Sequence, residues 1–207
     1  AVVEPSYLYD DPASIAEVPP ALLPLETLPY LNPSRYCESD KLMSFAHTHF
    51  GGLVPGYGRV NAICNWIYAN IEYLGGSTCS ETSASDIIVQ GAGVCRDFAH
   101  LGIAFCRALN IPARFVSGYA YGLVPQDFHA YFEAYLGKRW YVFDATRASR
   151  QNALVRIGIG RDAADVSFAT IFGQSEMHSM RIFANLIEQS ESTLQSPEMT
   201  LAAVATL

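Results

Sequence analysis

Charge is scarce in this chain. Asp, Glu, Lys and Arg make up 16% of its 207 residues, and acidic groups outnumber basic ones 20 to 13, a formal net charge of −7. That excludes the basic footprint by which a protein neutralises nucleic-acid phosphates, and an anionic membrane surface would repel the chain. No apolar run reaches the roughly 20 residues that a helix needs to cross a bilayer. The stretch Leu201-Ala-Ala-Val-Ala-Thr-Leu207 is apolar but far too short. Cysteine is limited to Cys37, Cys64, Cys79, Cys95 and Cys106, an odd number with no CxxC spacing. A disulfide framework or zinc ribbon is therefore not expected, and reduced thiols in a cytoplasmic setting are. Signal-peptide patterns, internal repeats and low-complexity blocks are also missing.

What remains is a chain that is half apolar, enough to bury one substantial core. Residues 1–38 differ from the rest. Seven prolines, from Pro5 to Pro33, interrupt every helix that could form there. This segment reads as an extended arm or linker, followed by one compact domain over residues 39–207. Within that domain the pattern predicts helices over Asp40–Phe50, Val60–Tyr73, Ser83–Val89 and Cys95–Leu109. Asn110 and Pro112 end the last of these. The period then changes. Ala113–Tyr121, His129–Leu136 and Trp140–Thr146 are rich in aromatic and β-branched residues and read as antiparallel strands. Beyond Gly158 the pattern is less regular, with Ile182–Ile187 a candidate final helix or strand. Helices followed by a small antiparallel sheet make the class α+β.

Chemistry is concentrated in GAGVCRDFAHL, residues Gly91–Leu101. Two glycines, then a cysteine, then a helix put a thiol at a helix N-terminus. Partial positive charge and unpaired N–H groups there favour a thiolate and could hold an oxyanion. Asp97, in the first turn, competes for the same dipole.

A nucleophilic cysteine needs a base, and the base needs an orienting group. Along FHAYFEAYL, Ala130, Phe132, Ala134 and Leu136 share one strand face, and His129, Tyr131, Glu133 and Tyr135 share the other. Gly137-Lys138 then looks like a two-residue hairpin loop, with glycine first as a type II′ turn prefers. That loop sets Leu136 opposite Arg139 and Tyr131 opposite Asp144. Asp144 thus falls on the face of His129, one diagonal step away, at a Cβ separation of about 7 Å that a carboxylate can bridge.

Competing constellations are thinner. His47 and His49 with Cys37 offer two histidines at i and i+2, which do not share a helix face. His100 and Cys106 lie within the Cys95 helix and read as packing residues. Asp162 and Asp165 lack the glycine-turn loop of a calcium site. The glycines at 91 and 93 lack the third glycine of a dinucleotide fingerprint.

Together the segments GVCRDFAHL, IPARFVSGY, DFHA and FDAT resemble the core of the transglutaminase-like superfamily, in particular its bacterial members. The resemblance is strong from about Leu42 to Gly173. It implies a papain-like fold with Cys95 as nucleophile, His129 as base and Asp144 as orienting carboxylate. It also implies acyl transfer at amide bonds through a thioester on Cys95, with a protein or peptide as substrate and no metal or organic cofactor. A cysteine peptidase or amidase is the leading expectation. A protein-glutamine transglutaminase, in which an amine resolves the thioester, and a catalytically silent interaction scaffold are the alternatives. Tyr131 stands where many members have tryptophan. Of the two tryptophans, Trp66 is a candidate for the one that completes the oxyanion hole in animal transglutaminases. Bacterial members often carry a β-rich domain before the core, which makes the proline-rich start a candidate remnant of such a junction.

Overall fold

The computed structural model describes residues 1–4, 6–167, 172–174, 176, 178–187 and 202–206. Four α-helices precede most of the sheet: α1 (Met43–Phe50), α2 (Tyr57–Asn70), α3 (Ala84–Gln90) and α4 (Cys95–Ala108). The large sheet holds β1 (Tyr7–Asp10), β4 (Ala113–Ala120), β5 (Phe128–Leu136), β6 (Arg139–Phe143), β7 (Leu154–Gly160) and β8 (Ala203–Thr206). Their order is β1-β8-β6-β5-β4-β7, and every pairing is antiparallel. Two short strands, β2 (Glu72–Tyr73) and β3 (Ala92–Gly93), form a separate parallel pair. Segregated helices and an antiparallel sheet make the fold α+β, as the sequence pattern implies.

α4 is the spine. From Asp97 to Ala108 every residue is buried. Asn110, in the left-handed region at φ 61°, ends it just before Pro112. It packs closely on the sheet at Gly102, where a Cβ would lie 2.5 Å from the Phe132 ring. Only the absence of a side chain lets helix and strand come this close. Phe132, Ala130, Ala134 and Leu136 share the main core with α4, as the strand alternation predicts.

The opposite face of β5 departs from expectation. The alternation suggested a polar, aromatic surface, yet His129, Tyr131, Glu133 and Tyr135 are all buried. A second apolar cluster, with Val116, Tyr131, Val142, Leu154 and Val204, covers that side. Three of its contributors lie on β4, β7 and β8, the last two of which the local pattern did not reveal. Glu133 is accommodated there by the Arg114 guanidinium, whose Nε donates to its carboxylate at 2.6 Å.

The β5–β6 register is the one that parity predicts, with Leu136 opposite Arg139 and Phe132 opposite Phe143. The turn differs in type. Gly137 and Lys138 both have positive φ, 51° and 71°, which is the type I′ pattern and not II′. Both are two-residue loops, so the register is unaffected. α2 ends at Asn70, three residues earlier than the apolar periodicity suggests, because Ile71 turns extended and is buried. Ile182–Ile187 is neither helix nor strand.

The proline-rich segment is extended, broken by short 3-10 turns at Pro12–Ser14, Pro20–Leu22 and Leu25–Tyr30. It lies against the domain. Ile15, Leu23, Thr27 and Cys37 are buried, and β1 pairs with β8. Glu17 forms a two-pronged ion pair with Arg59 of α2, Nε donating at 2.7 Å, and also accepts the Gly56 N–H at 2.9 Å.

Candidate active site

Cys95 is the first residue of α4 and is partly exposed. The turn that delivers it is held by Asp97, which is 1% exposed and accepts the Val94 N–H at 2.9 Å and the Thr78 hydroxyl at 2.7 Å. Asp97 therefore spends its charge on the N-cap. Gly93 is required by the same packing, since a Cβ there would sit 2.9 Å from the Asp97 Cβ.

His129 enters from the start of β5. Its Nε2 donates to Asp144 Oδ2 at 2.7 Å. Asp144 lies one residue beyond β6 and is itself fixed: its Oδ1 accepts the Thr146 N–H at 2.9 Å and the Thr146 hydroxyl at 2.7 Å. The diagonal that parity placed between β5 and β6 is thus closed by a hydrogen bond. The other ring nitrogen, Nδ1, is buried and bonds to no other polar group. Cys95 lies beside the ring. Burial works against a charged imidazole, but hydrogen bonds and charge from Asp144 and Cys95 outweigh it and push the His129 pKa up to about 10.

Tyr73 is the residue that sequence reasoning missed. The periodicity assigned it to the end of a helix, whereas it lies on β2 opposite Gly93. Its phenol lies against Cys95, whose backbone N–H and sulfur both act on the hydroxyl. Burial, then the charge of Cys95, push its pKa up to about 12. The signal available in the sequence was Gly75-Gly76 just beyond it, which marks a chain reversal but not a strand.

Other candidates fall elsewhere. Trp66 packs on Phe45, Phe50 and Phe105, an aromatic cluster ten residues along α4 from Cys95, or about 15 Å at the helical rise. It is a packing residue, not a neighbour of the thiol. His100 is fully buried, stacks on Tyr36 at 5.0 Å and accepts the Ala163 N–H at 3.1 Å. Cys106 is fully buried. His49 stacks on Phe45. Asp162 accepts the Tyr36 N–H and Asp165 pairs with Arg161. Among the described residues no group of three potential metal ligands comes together. A cavity of about 850 Å³ borders Asp144, between the arm at Ile15, α2 at Asn61 and the Arg147–Gln151 loop; Cys95 and His129 are not part of its wall.

The model of the transglutaminase-like superfamily matches residues 44–145, which include Cys95, His129 and Asp144. A crystal structure from Cytophaga hutchinsonii, described as a "Putative Cysteine Protease", is 46% identical with a TM-score of 0.83, covering 97% of this chain and 70% of that one. This chain belongs to the transglutaminase-like superfamily. The fold extends further. The ethylmercury-bound periplasmic domain of TgpA from Pseudomonas aeruginosa superposes with a TM-score of 0.50 at 19% identity, covering 63% of this chain and 51% of that one. An uncharacterized protein of Mycobacterium leprae is 33% identical over 117 residues, 52% of this chain and 42% of its own length. Another, of Mycobacterium bovis, is 34% identical over 89 residues, 43% of this chain and 28% of its own. The match thus spans less than half the length of either mycobacterial relative.

Proposed function

We propose that this superfamily member is a cysteine peptidase or amidase, acting on protein or peptide amides through a thioester on Cys95. One observation carries the reading: the His129 ring is anchored through Nε2 on Asp144, its Nδ1 is left without a hydrogen-bond partner, and Cys95 is close enough to help hold the ring charged. In this mechanism the Cys95 thiolate attacks the amide carbon. The C–S bond forms as the carbonyl electron pair moves onto oxygen. Collapse of that intermediate breaks the C–N bond, and His129 gives its proton to the departing amine. Water, deprotonated by the now neutral His129, resolves the thioester. Asp144 holds the ring in position and favours its charged form, as a carboxylate partner does in nucleophile–histidine systems. All five cysteines are free, which fits a reducing, cytoplasmic setting for such a nucleophile.

The test has two arms. Iodoacetamide alkylation, followed by peptide mass spectrometry across pH, is expected to label Cys95 fast well below pH 8, an advantage that His129→Ala removes. Hydrolysis of a casein-derived peptide pool is expected to vanish in Cys95→Ala while its circular dichroism is unchanged. Hydrolysis by Cys95→Ala near the wild-type rate would overturn the reading. A Cys95 no more reactive than the other four thiols would favour a silent scaffold instead, and amine incorporation exceeding hydrolysis would favour a transglutaminase.

A further inference from the structure

We infer that Tyr73 is a catalytic residue: its hydroxyl and the Cys95 backbone N–H together form the oxyanion hole. The inference rests on the acyl-transfer reading above and assigns the group that reading leaves open.

The argument starts from the chain path. α2 ends at Asn70, and buried Ile71 anchors the turn out of it. Two residues then run parallel to the strand that leads into Cys95. Glu72 N–H donates to Gly91 O at 2.8 Å and Leu74 N–H to Gly93 O at 2.9 Å, so Tyr73 is clamped on both sides. Its partner in register is Gly93, two residues before the thiol. Its ring leans on Phe98, 5.7 Å away and tilted by 55°. Phe98 lies three residues after Cys95, on the same side of α4. Backbone ladder and ring contact leave the phenol little choice of direction, and its hydroxyl ends beside the Cys95 sulfur and N–H.

The Cys95 N–H is the first of its helix and so has no intrahelical acceptor. Without substrate it faces the Tyr73 oxygen. An oxyanion next to Cys95 would take that place as acceptor, and the phenol would turn from accepting the N–H to donating its own proton to the same oxygen. Both donors then act only on the charge that develops during attack, which is the condition for lowering a barrier. The phenol must keep its proton to serve. Burial, to which the contact with Phe98 contributes, and then the interaction with Cys95 hold it protonated, with its pKa pushed up to about 12. About half of Tyr73 stays exposed, so a carbonyl can reach it.

Two reactions of the same thiol separate this role from a structural one. Alkylation by iodoacetamide is a displacement at carbon and forms no oxyanion. Acylation by p-nitrophenyl acetate passes through a tetrahedral oxyanion and releases nitrophenolate in a burst. In Tyr73→Phe the acylation rate is expected to fall about 100-fold, while alkylation of Cys95 stays within about twofold of wild type. Unchanged alkylation also reports that the site is folded. Equal losses in both reactions would show that Tyr73 acts on the thiol itself, and unchanged acylation would show that it donates nothing; either overturns the inference alone. A wild-type protein that alkylates but gives no burst would overturn the acyl-transfer reading and this inference with it.

Discussion

His129 and Asp144 are joined at 2.7 Å although β6 ends at Phe143, one residue short of the carboxylate. The strand delivers the aspartate to the correct face, and the Thr146 turn then aims it. Two separate devices therefore set one hydrogen bond. Because Asp144 both bonds the ring and supplies negative charge, its removal must lower the His129 pKa from about 10. Asp144→Ala is expected to cut amide turnover about 100-fold and to move the alkaline limb of the pH–rate profile downward, toward the unperturbed histidine value of about 6.5. The measurement is turnover from pH 5 to 11. An alkaline limb that stays in place would mean that Asp144 does not hold the ring's proton.

At Gly102 the backbone of α4 packs against the Phe132 ring of β5, and the two effects of adding a methyl there have opposite signs. Alanine in place of glycine within a helix gains about 1 kcal/mol. Driving a Cβ into the buried Phe132 ring, 2.5 Å away, costs about 2 kcal/mol as overpacking. The clash wins. Gly102→Ala is expected to lower stability by about 1 kcal/mol, read as the midpoint of urea unfolding. Phe132→Leu in the same chain should return the helix gain, so the two substitutions couple. Additive effects would place the strain elsewhere.

Elements whose signal is local were legible: α4 from its row of apolar residues and Asn110, the β5–β6 hairpin from Gly137-Lys138, and the His129–Asp144 diagonal from parity alone. What escaped depends on long-range pairing. Tyr7–Asp10 becomes a strand only because Ala203–Thr206 lies beside it, nearly two hundred residues away. Glu72 and Tyr73 pair with Ala92 and Gly93, and two residues carry no periodicity to read. The burial of His129 and Glu133 was hidden for a related reason. Alternation tells which residues share a face, not that the other strands of the same sheet, β7 and β8 among them, will pack a second apolar cluster on that face.

Two buried histidines pull the pH dependence of stability in opposite directions. His129 has its folded pKa raised to about 10, so its contribution is complete below about pH 6.5 and is lost as pH rises through 10. Burial holds His100 neutral, with a pKa near 3. Its unfolded form takes up a proton below about pH 6.5, so stability falls there by up to about 1.4 kcal/mol per pH unit. His100→Gln can still accept the Ala163 N–H but cannot take up that proton. The variant, less stable at pH 7.5, should close the gap to wild type as pH is lowered to 5. Urea midpoints at the two values check this, and a constant gap would remove His100 from the account of acid sensitivity.

The ion pair of Glu17 with Arg59 ties the proline-rich segment to α2, and its worth lies in what breaking it leaves behind. The side chains are only 14% and 9% exposed. Desolvating both charges offsets most of their attraction, so an apolar pair of similar size would serve nearly as well. Removing the acid alone is different. Arg59 would stay buried without its counter-charge, and the Gly56 N–H would lose its acceptor. Glu17→Ala is expected to cost about 3 kcal/mol and to expose residues 12–23 to limited proteolysis before the core is cut. Glu17→Met combined with Arg59→Met should recover most of that loss, because no buried charge remains. If the double substitution is as unstable as Glu17→Ala, the segment is held by the charge pair itself. If Glu17→Ala costs nothing, Ile15 and Leu23 alone hold the segment in place.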